Sequence, residues 1–165
     1  SGKMAIANGR VTEALEFLEG AQQEAPGRVD TRYHLADALL RAGKPQKAIA
    51  LYKGLLGSNP RILEIADQLS RVLSTHPDDS IRNPREALAL ATRLCKITKN
   101  KNINHLLTYA LAKANLEEFA EAEKLLNQLK NATNTKSSLG LEISSALKSV
   151  VSKKAVRNNL WKSSN

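Results

Sequence analysis

Residues 29–60 read VDTRYHLADALLRAGKPQKAIALYKGLLGSNP, and their pattern is the main evidence for the fold class. Its apolar residues recur at three- and four-residue spacings up to Leu40, which is the pattern of one buried helix face. Gly43 and Pro45 then interrupt the pattern, as expected where one helix ends and another begins. A second helical pattern follows and closes at Pro60. The stretch therefore predicts a helix, a short turn and a second helix.

The same two-helix unit recurs along the chain. Two further stretches, residues 63–101 and 103–134, align with residues 29–60. The stretch at 63–101 has a longer loop between its two helices. Residues 5–26 match only the second helix of the unit. No alternating run of β-branched residues appears, so no strand is predicted. A repeat of about 34 residues with two helices predicts an all-α solenoid of stacked antiparallel helix pairs.

Small residues occupy matching positions in successive units. Late in the first helix of each pair they are Ala36, Ser70 and Ala110. Early in the second helix they are Ala14, Ala48, Ala87 and Ala122. With these residues, and with prolines that close two units at Pro26 and Pro60, residues 5–134 resemble the tetratricopeptide repeat family. The resemblance implies a right-handed α-solenoid whose first helices line a concave groove, and the longer loop is similar to a bacterial variant of the repeat.

The repeats divide the chain into parts that we expect to form one domain over residues 1–165. These parts are a partial repeat at 5–26, repeats at 29–60, 63–101 and 103–134, a capping helix at 138–158 and a tail at 159–165. The helix at 138–158 has an apolar stripe, which suits a terminal cap with a polar outer face. Because the chain begins within a repeat, we expect a fragment of a larger protein. Its N-terminal edge would expose Leu15 and Leu18 to an upstream domain or to a second copy in a homodimer.

The composition excludes several classes of function. The single cysteine, Cys95, leaves no disulfide framework and no thiolate zinc site. The three histidines are far apart and lack metal-ligand spacing, and no nucleophile motif occurs. We therefore expect no enzyme, no metal and no cofactor. No run of about 18 apolar residues occurs, which predicts a soluble protein, of the bacterial cytoplasm or periplasm if the resemblance holds.

The implied groove predicts where a partner binds. Its partner-facing residues would be Tyr33, Asp37, Leu40, Arg41, Asp67, Arg71, Asn104, Leu107 and Leu111. This surface changes from mixed charge to apolar along its length, which suits a peptide or helix with apolar anchors and mixed charges. We therefore expect a protein–protein interaction scaffold or adaptor. For Leu107 and Leu111 the alternative is that the C-terminal helix covers them.

The excess positive charge supports an alternative function. Residues 135–165 carry six basic and one acidic residue, so they hold a net charge of +5 of the total +9. A basic C-terminal helix could bind nucleic acid or an anionic membrane surface. The scarcity of aromatic residues beside the basic cluster argues against a nucleic-acid stacking platform. A capping role for the same helix argues against a membrane surface.

The longer loop, residues 76–83, has two interpretations. It could be a binding loop, because insertions in repeat proteins lie at an edge of the solenoid. It could instead be a connector closed by its own hydrogen bonds, with Ile81 as a buried anchor and Asn83 as the N-cap of the next helix. We favour the connector, since Asp78, Asp79 and Arg82 can satisfy one another locally.

Overall fold

The structure, a computed structural model, describes the backbone of residues 2–158 and the side chains of residues 9–158. Its regular elements are all helical: α1 (Gly2–Glu24), α2 (Val29–Arg41), α3 (Pro45–Ser58), α4 (Leu63–Thr75), α5 (Pro84–Ile97), α6 (Ile103–Asn115), α7 (Phe119–Asn131) and α8 (Ser138–Val151). Within this part of the chain no strand occurs, which confirms the all-α solenoid class. The described residues form two compact units, one that extends to Ile65 and one that spans Ala66–Arg157.

In the first unit, α2 packs against both α1 and α3. Ala36 of α2 and Ala48 of α3 are completely buried, as expected where small side chains let two helix backbones approach closely. Tyr52 and Leu55 of α3 are buried as well and supply the bulk of the packing. The turn between α2 and α3 passes through Gly43, whose φ of 74° favours glycine.

In the second unit, the helices from α5 to α8 pack in chain order, and α6 also contacts α8. The hydroxyl of Ser70 on α4 donates a 2.7 Å hydrogen bond to the carbonyl of Ala87 on α5, so the small-residue position also joins these two helices. One core cluster unites the last three helices: Leu107, Ala110, Leu111, Ala114, Ala122, Leu126, Leu129, Ile143, Ala146, Leu147 and Val150.

Helix α8 buries its apolar stripe in this cluster and so caps the third helix pair. Because the stripe packs against protein, it does not face a membrane surface. The helix ends at Val151 rather than at residue 158. Lys153 adopts a φ of 54°, and the N–H of Lys154 donates to the carbonyl of Ser149 at 2.8 Å, which closes the last turn.

The loop at residues 76–83 is a self-contained connector. Nη1 of Arg82 donates to the carbonyls of His76 at 2.7 Å and of Pro77 at 3.0 Å, and the same guanidinium pairs with Asp79. Ile81 is 8% exposed and anchors the loop from below. These contacts confirm the favoured interpretation and leave the loop's main polar groups bound to one another.

Three helices of the second unit, α5, α6 and α8, begin at side-chain caps, and Asn102 is the cap of α6. Oδ1 of Asn83 accepts the N–H of Glu86 at 3.2 Å, so Asn83 is the predicted N-cap of α5, and its Nδ2 donates to Oε2 of Glu86 at 3.1 Å. Ser137 caps α8, since its hydroxyl accepts the N–H of Gly140 at 3.0 Å. Such caps typically contribute about 1 kcal/mol each.

Acidification is expected to lower the free energy of unfolding through His76, which is buried and faces Asp78 and Arg82. Burial is the main cause that lowers the pKa of His76 below its usual 6.5. The N–H of Asp78 donates to Nδ1 at 3.0 Å, and this bond requires Nδ1 to be unprotonated. Below about pH 6.5 the unfolded chain therefore binds a proton that the folded chain does not, and stability falls.

Urea unfolding between about pH 7.5 and pH 5 measures this loss. A His76→Gln variant should show a smaller decrease over this range, whereas His34→Gln, at an exposed position, should keep the original decrease. An unchanged slope in His76→Gln would contradict the assignment.

Candidate partner-binding surfaces

The first unit carries a cavity of about 550 Å³ where the start of α2 faces the start of α4. Its lining combines apolar and charged side chains: Val29, Asp30, Tyr33, His34, Ile62, Glu64 and Ile65. Val29 and Tyr33 lie one turn apart on α2 and therefore share a face. The N–H of Ile62 donates to the carbonyl of Asn59 at 3.1 Å, and this turn brings Ile62 and Ile65 back toward α2.

Tyr33 forms a fixed aromatic wall of the cavity. Its ring lies edge-on to the ring of Tyr52, with centroids 5.7 Å apart and planes at 70°. It also meets the ring of His34 at 5.8 Å and 80°. Because Tyr52 is completely buried, it holds Tyr33 in place while part of the Tyr33 ring stays accessible.

Charges of both signs surround the cavity. Asp30 pairs with Arg28 at 2.9 Å, and this hydrogen bond is the main cause that lowers the pKa of Asp30. Asp37 pairs with Arg41 at 3.1 Å one turn further along α2, where both line a second, smaller cavity. Both pairs are solvent-exposed, so they contribute little to stability and can exchange partners at small energetic loss. Glu64 adds an exposed carboxylate at the edge of the cavity.

In the second unit, Arg71 connects three alternate helices, α4, α6 and α8. Nε donates to Oγ1 of Thr108 at 2.9 Å, Nη1 to Oε1 of Glu142 at 2.8 Å, and Nη2 to the carbonyl of Asn104 at 3.2 Å. Asp67 lies one turn before Arg71, 3.6 Å from its Nε, and accepts the Thr108 hydroxyl at 2.6 Å. Each helix thus contributes at least one acceptor to a single guanidinium.

This network uses residues that the sequence assigns to partner binding. The Arg71 side chain is only 15% exposed, and its donors face acceptors of the same chain. Asp67 is likewise turned toward Thr108. Asn104 and Glu142 remain exposed at the edge. The geometry therefore gives Arg71 and Asp67 a structural role, and their contact with a partner stays a prediction.

Leu40, Leu107 and Leu111 do not line a surface. They are 0%, 0% and 3% exposed, so the prediction that they face a partner is wrong. Leu107 and Leu111 belong to the core cluster that Ile143 of α8 completes. The alternative, that the C-terminal helix covers these two leucines, is confirmed. Of the predicted residues in the first unit, Tyr33, Asp37 and Arg41 remain accessible.

The N-terminal edge differs from its prediction. Leu15 is 8% exposed and therefore buried, whereas Phe17 is 75% exposed. Leu18 is half-buried and, with Ala14 and other residues of α1 and α2, lines a smaller cavity of about 270 Å³. Stacking of a second copy on this edge stays a prediction, which light scattering at high protein concentration can test.

The described side chains offer little for catalysis. Among them, no group of three or more His, Cys, Asp or Glu residues could hold a metal ion. Burial raises the pKa of the Cys95 thiol, and its Sγ lies 3.5 Å from the carbonyl of His105, so the reactive thiolate is disfavoured. No helix in the described range has the length and apolar character needed to cross a membrane.

Comparison with known proteins identifies the repeat. Residues 5–67 match a family model described as tetratricopeptide repeat. Comparisons with curated proteins and with solved structures gave no match. Tetratricopeptide repeats generally mediate protein–protein interactions and are typically non-enzymatic scaffolds. The match covers the first complete helix pair and the start of the next, so residues 5–67 are similar to the tetratricopeptide repeat family.

Proposed function

We propose that this protein is a non-enzymatic scaffold that binds a segment of a partner protein in the cavity beside Tyr33. The main observation that supports this proposal is the cavity itself, which is lined by residues within the segment that matches the repeat family. Its volume of about 550 Å³ is large enough for one or two apolar side chains of a partner. Tyr33 supplies the rigid aromatic contact that commonly dominates binding energy at protein interfaces.

The surroundings of the cavity favour a segment with an apolar anchor and charges of both signs. Ile62 and Val29 offer aliphatic contacts to the anchor, above the fully buried Ile65. Glu64 is placed to attract a basic residue of the partner beside the anchor. The exposed pair Asp37–Arg41, one turn further along α2, can contact a second charged residue of either sign. This composition supports a peptide or helix of a protein in preference to a small metabolite.

Substitutions at the cavity are expected to weaken binding without unfolding the protein. Affinity capture with the whole chain, followed by direct titration of each identified partner, provides the measurement. Tyr33→Ser should weaken binding about fivefold or more, since truncating an aromatic anchor commonly removes more than about 1 kcal/mol. Glu64→Arg should weaken the binding of a partner that carries a basic residue near the anchor. The salt dependence of binding should not become steeper in this variant.

The matched control is Glu19→Arg, which makes the same charge change at an exposed position of α1 outside the cavity lining. Circular dichroism establishes that each variant is folded. If identified partners bind Tyr33→Ser and Glu64→Arg with the affinity of the unmodified chain, the cavity is not the binding site.

A further inference from the structure

We propose that the second unit carries a separate docking groove for an acidic amphipathic segment of a protein, lined by α5, α6 and α7. This groove uses Leu106 and Tyr109 of α6, whereas the Arg71 network uses Asn104 and Thr108 of the same helix. The helical period places these two sets on different sides of α6. The proposal is therefore independent of the proposed function of the first unit.

The groove has a volume of about 490 Å³ and a largely apolar floor. It is lined by Thr92, Cys95, Lys96, Asn100, Leu106, Tyr109 and Leu125. Leu106 and Leu125 pack against the core cluster on their inner sides and are only partly buried. Lys113 lies 5.7 Å from the centroid of the Tyr109 ring. The floor is thus built from side chains that the core already holds in place.

Two polar groups of the floor donate hydrogen bonds to carbonyls of the same chain. The Thr92 hydroxyl donates to the carbonyl of Leu88 at 2.7 Å. The Cys95 thiol donates to the carbonyl of His105 at 3.5 Å. Neither group needs a polar ligand, so an apolar side chain can cover these two groups without leaving their donors unsatisfied.

The α5 side of the groove and the turn after it carry charge of one sign, whereas the α7 side carries Glu118 and Glu121. Residues 87–116 contain no acidic residue and five basic ones: Arg93, Lys96, Lys99, Lys101 and Lys113. Lys113 is neutralised locally, since Glu118 and Glu121 of the α7 side lie 2.7 Å and 3.2 Å from its Nζ. Lys96, Lys99 and Lys101 are exposed where α5 ends. They leave a positive border beside an apolar floor.

The turn after α5 fixes part of this border. Lys99 and Asn100 have φ angles of 54° and 57°, and the N–H of Asn100 donates to the carbonyl of Cys95 at 2.8 Å. The backbone is therefore held at the mouth of the groove. An occupant with aliphatic side chains on the floor and carboxylates toward Lys96, Lys99 and Lys101 satisfies both features. Nucleic acid fits less well, because Tyr109 is half-buried and offers no open stacking platform.

A designed peptide tests the proposal on the whole chain. The probe is a fluorescein-labelled helical peptide of about 14 residues with leucine at i, i+3, i+4 and i+7 and glutamate at most other positions. Its binding is followed by fluorescence anisotropy. The second readout is the rate at which a neutral maleimide labels position 92, an exposed lining position of the groove, in a Thr92→Cys, Cys95→Ala protein.

We expect the probe to bind and to slow maleimide labelling at position 92 by about fivefold or more at saturation. Lys96→Glu should weaken binding about tenfold, a loss expected for a charge reversal at the border of an interface. The matched control Lys148→Glu makes the same change on the exposed side of α8 and should alter affinity less than about twofold. Glu64→Arg, in the first unit, should leave probe binding unchanged.

Several outcomes would overturn the proposal. Absence of probe binding would do so, as would equal affinity for a peptide in which serine replaces every leucine, or for an RNA oligonucleotide of the same charge. Binding that leaves labelling at position 92 unchanged would place the probe elsewhere. An equal loss of affinity in Lys96→Glu and Lys148→Glu would show attraction to net charge alone.

Discussion

Replacing Gly140 with alanine is expected to lower the free energy of unfolding by about 3 kcal/mol, the upper end of typical overpacking effects. A Cβ at this position would lie 2.1 Å from the carbonyl oxygen of Asn134 and 2.9 Å from Cα of Thr135. Both are backbone atoms, so the clash cannot be relieved by rotation of a side chain. The turn between α7 and α8 would have to move as a whole.

That movement would also disrupt the cap of α8. The Ser137 hydroxyl donates to the carbonyl of Asn134 at 2.6 Å and accepts the N–H of Gly140 at 3.0 Å. The N–H of Ser137 donates to the same carbonyl at 3.1 Å. A shift of Asn134 away from residue 140 therefore strains two hydrogen bonds that begin the helix. This effect outweighs the gain of up to about 1 kcal/mol that alanine brings to a helix.

Gly57→Ala is the matched control for this substitution. Gly57 also lies in a helix, α3, but a Cβ added there meets no atom within 4 Å. Urea denaturation should therefore show a slightly stabilised Gly57→Ala protein and a strongly destabilised Gly140→Ala protein. Equal stability of the two variants would contradict this prediction, because it would mean that the turn at Asn134 can move without lowering the free energy of unfolding.

Replacing Leu126 with alanine is expected to lower the free energy of unfolding by about 2–5 kcal/mol. Leu126 of α7 is completely buried in the core cluster, between residues of α6 and α8. Truncation removes its transfer free energy and leaves a void that three packed helices cannot readily fill. The loss should appear as a lower urea midpoint for the second unit, with little change in the spectrum of the folded state.

Leu141→Ala provides the comparison, because Leu141 of α8 is 61% exposed. The same truncation there should change the free energy of unfolding by less than about 0.5 kcal/mol. Comparable losses for the two leucines would contradict the assignment of α7 as the centre of the three-helix core.

The helix pairs could be predicted from the sequence because their signals are local. Apolar residues three and four positions apart gave the helices, and the small residues at Ala48, Ala87 and Ala122 gave the register between units. The structure buries all three of these alanines. The connector role of residues 76–83 was also predictable, since its partners are within a few residues of one another.

The candidate site was less predictable because it depends on contacts between distant residues. Leu107 and Leu111 occupy positions equivalent to the accessible Tyr33 and Asp37, but α8 packs over them. Because leucine is usually buried, the residue type of Leu107 and Leu111 favours the core over a solvated groove. Glu142 and Ile62 had no distinguishing pattern in the sequence. The turn that demands glycine at position 140 depends on where Asn134 lies in space, which periodicity does not encode.

The Arg71–Glu142 contact affects how the second unit is expected to unfold when one of its terminal helices frays. In an ideal repeat array each pair interacts only with its immediate neighbours, so its ends melt independently. Arg71 belongs to the α4–α5 pair, and Glu142 lies on α8, with the α6–α7 pair between them. This second-neighbour coupling makes the array more cooperative than a one-dimensional chain of pairs. Loss of order in the last helix removes a charged acceptor from the opposite end of the unit, so the two ends are expected to melt together.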